Sequence, residues 1–236
     1  MPITTSKFNI LNREAGIIAE LLTSGLENLR KVSRGHAFYY QSFYSLSTGL
    51  ERLMKLIIHL ENPSANLRTH GHNLENLRQT IGIQLSPTSL EYKILLFMND
   101  FASGERYSIV DYLSDGDSMR LTNEPIIKFY NDILNEVLTA HPPNSIRILP
   151  PIDFALVRHT REDLSQINDL GDLLVHGQII EHASKYCVMY TGRLLQPFIE
   201  RLRTHDGPPN NPYFSEHFRY LRQIDDYFKN RKTFRS

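Results

Sequence analysis

Three side chains able to move protons or hold anions recur at helical spacing within His36 to Leu60, HAFYYQSFYSLSTGLERLMKLIIHL. They are Arg52, Lys55 and His59. At 100° per residue they share one side with Gln41, Ser45 and Thr48, while Tyr39, Phe43, Leu46, Leu50, Leu53, Met54 and Ile57 take the other. Arg52 and His59, seven residues apart, project about 20° apart in azimuth and about 10 Å apart along the axis. A histidine exchanges protons near neutral pH, and an arginine grips a phosphate through its planar fork. A dinucleotide phosphate spans that separation, and Lys55 adds a second cation between the two. The same residues also suit a solvated face, with Glu51 and Lys55 as an i,i+4 pair.

Other candidate chemistry is thinner. His70 and His72 lie two apart and His176 and His182 six apart, so a helical metal-dependent enzyme using them is the least favoured reading. No GxGxxG or GxxxxGK[ST] loop, HExxH, paired CxxC or GxSxG is present, and neither a cofactor nor a metal is expected. The single cysteine, Cys187 in KYCVMYTGRLL, cannot form an internal disulfide, and its apolar neighbours predict a buried small hydrophobe.

The positioning elements follow from periodicity. Ile17, Ile18, Leu21, Leu22, Leu26 and Leu29 predict a helix from an N-cap at Asn12 to about Val32, broken by Ser33 to Gly35. The long aromatic helix then runs to about Leu60, where Asn62-Pro63-Ser64 stops it. Short helices are expected over Asn73 to Ile81 and, behind Ser86-Pro87, over Leu90 to Ala102. Arg106 to Leu113 is ambiguous between helical and extended, and Asp115 to Asp117 reads as a turn. Pro125 opens a further helix that ends at His141-Pro142-Pro143, and Ile146 to Pro151 is expected to be extended. One or two helices cover Phe154 to Arg203, with Gly171 as a break point. A loop follows over Thr204 to Pro212, then a last amphipathic helix through Phe214, Phe218, Leu221, Ile224 and Phe228.

The fold class is therefore mainly α. With 26 Lys plus Arg against 26 Asp plus Glu, bulk charge points to neither nucleic acid nor an anionic membrane, although a small basic cleft fits within a neutral whole. No secretory signal and no run of about 18 apolar residues is visible, which predicts a cytoplasmic protein with no membrane partner.

FYYQSFYSLSTGLERLMKLI, HGHNLENL and FASGERYSIVDYL together resemble the HEPN superfamily over about Phe38 to Leu113. The larger chain is similar to its poorly described bacterial branches, including the group named after a Clostridium thermocellum protein. The resemblance implies an antiparallel HEPN-like helical bundle over residues 1–140, with additional C-terminal helices over 145–236 packed on the same bundle. It implies a homodimer and RNA as substrate or ligand. It also suggests a metal-independent defence or toxin-type endoribonuclease, with a nucleotidyltransferase-like antitoxin as candidate partner. Active members carry Arg-x4-6-His. Arg52 and His59 fit that pattern, Arg52 then holding the scissile phosphate and His59 serving as general acid/base. Lys55 and Tyr44 are the RNA-binding candidates, Tyr44 by stacking on a base. Arg30 and His36 fit it too, across the predicted break. The alternative is a non-catalytic HEPN-like dimeric interaction or nucleotide-binding module.

Overall fold

In the computed structural model the described residues are 6–104, 125–143, 170–208 and 211–221, with backbone alone for 170–176. Helix α1 (Lys7–Leu29) starts at Ser6, whose hydroxyl oxygen accepts from the Asn9 amide at 3.3 Å. The expected cap, Asn12, lies inside the helix instead, and its Oδ1 accepts from His217 Nε2 at 2.8 Å. Helix α2 (His36–Glu61) follows a 3-10 turn at Val32–Arg34, and Gly35 at φ 156° carries the chain into it. Helix α3 (Leu74–Ile81) is capped by Asn73 accepting from the Asn76 amide at 2.7 Å, and it ends on left-handed Gly82. Helix α4 (Leu90–Ser103) uses Ser89 as cap, three residues beyond the expected Ser86.

Pro125–Phe129 (α5), a π-helical turn at Tyr130–Leu134 and Asn135–Ala140 (α6) follow one another without interruption. In the wide turn the Asn135 amide donates to the Tyr130 carbonyl, an i+5 bond. Helix α7 (Leu170–Arg203) runs through Gly177, Gly192 and Pro197 without a break. The last predicted helix is shorter than its periodicity suggests: α8 (Phe214–His217) gives way to a 3-10 turn at Arg219–Leu221. That turn is fastened by the Gln196 side-chain amide, which donates to the Leu221 carbonyl. Arg106–Leu113, Asp115–Asp117, Ile146–Pro151, the start of the Phe154 helix, Ile224 and Phe228 lie outside the described residues.

The protein is a mainly α helical bundle, and the described residues hold no strand. Helices α1 and α2 pack as an antiparallel pair: Gly25 meets Leu46, Gly49 meets Leu22, and Glu14 meets Arg52. Their backbones approach so closely at Gly25 that the Ser42 hydroxyl donates to its carbonyl at 2.9 Å. A continuous apolar core joins α1 and α2 to α4, α5, α6 and α7. At its centre the Phe43 ring contacts Tyr39, Phe97, Phe101 and Phe129 at centroid distances of 5.9, 4.7, 5.5 and 5.0 Å. Tyr39 and Tyr130 share a hydroxyl–hydroxyl bond of 2.5 Å, and burial pushes the Tyr130 phenol up to about 12. Cys187 is fully buried beside them, and burial raises its thiol well above the ordinary range, as its apolar neighbours predict. No described helix is long and apolar enough to cross a membrane.

Candidate functional site

The polar stripe of α2 exists, and most of its charge is matched from within the chain. Arg52 presents its fork to Glu14 on α1, with Nε to Oε1 at 2.8 Å and Nη2 to Oε2 at 2.6 Å. Those hydrogen bonds raise the guanidinium above its usual range, against the opposing effect of burial. One turn away, Lys55 donates to Glu51 at 2.7 Å and to the Gly71 carbonyl at 2.7 Å. The other Glu51 oxygen accepts from His72 Nδ1 at 2.9 Å. Glu51 is only 8 % exposed, so it works as a buried node that ties α2 to the segment leading into α3. Burial pushes its carboxyl up. Hydrogen bonds and charge from Lys55 and His72 more than offset that and hold it below the ordinary carboxylate range.

His59 is half-buried, and no hydrogen bond or ion pair reaches it among the described residues. Tyr44 is 51 % exposed, about 100° around the helix from the buried Phe43. Of the four residues expected to act together, Arg52 and Lys55 are therefore engaged by neighbouring carboxylates, His59 is unpartnered, and Tyr44 points to solvent.

The metal candidates disperse. Among the described residues no group of three or more His, Cys, Asp or Glu side chains is placed to hold an ion. His72 serves Glu51, and His182 Nε2 donates to the His141 carbonyl at 2.9 Å. The His176 side chain is outside the described set.

Two polar centres escaped the sequence reading. Glu75 grips Arg78 through both oxygens at 2.6 and 2.8 Å and also accepts from Gln79 and from the Tyr92 hydroxyl. Arg78 further donates to the Ile83 carbonyl, locking the end of α3. In the second centre His141 stacks on Tyr186 with centroids 4.0 Å apart and planes 9° apart, and its Nε2 lies 2.9 Å from the Tyr190 hydroxyl. His182, Tyr186, Tyr190 and Arg193 recur at i, i+4, i+8 and i+11, one face of a helix, which is the signal that identifies the second centre. His141 itself reads only as a helix stop.

Comparison with known proteins adds no relative: no family model, curated protein or solved structure matches the chain.

The Glu51 node makes stability pH-dependent. Its folded carboxyl is depressed, so the stabilisation is complete above the unfolded carboxylate range near 4.3 and is lost as pH falls through the lower folded value. Glu75, held low first by its hydrogen bonds from Arg78, acts in the same direction. Urea unfolding between pH 2 and 6 should show a falling acid limb that Glu51→Gln flattens; an unchanged limb would exclude the node as a source of acid sensitivity.

Proposed function

We propose that this chain is a non-catalytic module of HEPN-like build that works by binding a partner, as a homodimer. The observation that carries this reading is the bidentate Arg52–Glu14 pair. An arginine that stabilises a scissile phosphate must offer its fork to the ligand, and here the edge formed by Nε and Nη2 is held by the Glu14 carboxylate. A phosphate arriving at that edge would have to compete with Glu14 and would meet the negative charge of Glu14 and Glu51, both of which act on Arg52. Lys55 is likewise committed to Glu51 and Gly71. Among the described residues His59 has no second group to orient its ring, as a general acid/base ordinarily does. The aromatic face of α2 and the Asn73-capped helix after HGHN support the HEPN-like build.

The test is incubation of structured and single-stranded RNA with the full chain in EDTA, followed by gel analysis. RNA should remain intact with the native protein and with Arg52→Ala and His59→Ala alike. Cleavage by the native protein that His59→Ala abolishes would establish the endoribonuclease instead. Sedimentation should give a mass of two chains; a monomer across the micromolar range would remove the dimer from the proposal.

A further inference from the structure

We draw no further inference here: the strongest candidate, the half-buried cluster of His141, His182, Tyr186, Tyr190 and Arg193 between the end of α6 and α7, is accounted for by fastening those two helices together, and nothing in the structure shows what it would bind.

Discussion

Replacing Phe43 by alanine is expected to lower the unfolding free energy by about 3–5 kcal/mol. The ring is fully buried and touches aromatic side chains from α2, α4 and α5, so truncation leaves a void bounded by three rigid elements that cannot all close on it. Domains are stable by only about 5–15 kcal/mol, so this one change removes a large share of the total. Phe43→Leu, which keeps most of the volume, should cost about 1.5 kcal/mol. Tyr44→Ala, one residue along on the exposed face, should stay within about 0.5 kcal/mol. Urea midpoints for the three variants check this directly. Similar midpoints for Phe43→Ala and Tyr44→Ala would refute the assignment of α2's buried face.

The second large effect comes from adding a single methyl. A Cβ at Gly25 would lie 2.5 Å from Leu46 Cγ, 2.8 Å from Leu46 Cδ2 and 3.0 Å from the Leu46 backbone nitrogen. A leucine tip can rotate away, but the backbone of α2 cannot. The helices must therefore part, and parting stretches the Ser42 hydrogen bond to the Gly25 carbonyl. Alanine's helix preference returns about 1 kcal/mol, while overpacking costs about 1–3 kcal/mol with the strained hydrogen bond in addition. A net loss of about 2 kcal/mol is expected for Gly25→Ala. For Gly49→Ala the nearest atoms belong to the Leu22 and Leu21 side chains rather than to backbone, the closest at 2.8 Å, and the change should cost less. Adding Leu46→Ala to Gly25→Ala relieves the side-chain clash and leaves the backbone one, so a double-mutant cycle should show partial coupling. Gly25→Ala unfolding at the native midpoint would mean the two helices are farther apart than described.

Helix placement was legible wherever periodicity and end signals agreed. His36, Asn73 and His141 mark boundaries that the structure reproduces, because Gly, Asn and Pro constrain the backbone locally. Asn12 and Ser86 misled for one reason: a capping residue type announces itself only in context, and a serine earlier in one case and later in the other holds the position. The amphipathic division of α2 was also legible, down to Tyr39 and Phe43 in the core and Glu51 with Lys55 as a pair. The state of Arg52 was not. Its partner Glu14 lies 38 positions earlier, and no spacing rule relates the two before α1 and α2 are docked. His72 on Glu51 and His141 on Tyr186 are likewise products of tertiary contact. Local pattern gave the faces, and long-range pairing decided which charges were left over for chemistry.

The wide turn at Tyr130–Leu134 bears on how this chain tolerates changes of length. Each residue of an α-helix advances the face by 100°, so one surplus residue in a regular helix would swing everything beyond it away from its contacts. The i+5 bond between Asn135 and Tyr130 absorbs such a surplus within a single turn. Phe129 upstream and Val137 downstream thus both reach the core, and His141 still meets Tyr186. A one-residue deletion within this turn is the edit that regular helix geometry can accommodate with both flanking faces in register. The same deletion in the middle of α2 would rotate Gly49 off Leu22 and Arg52 off Glu14 together.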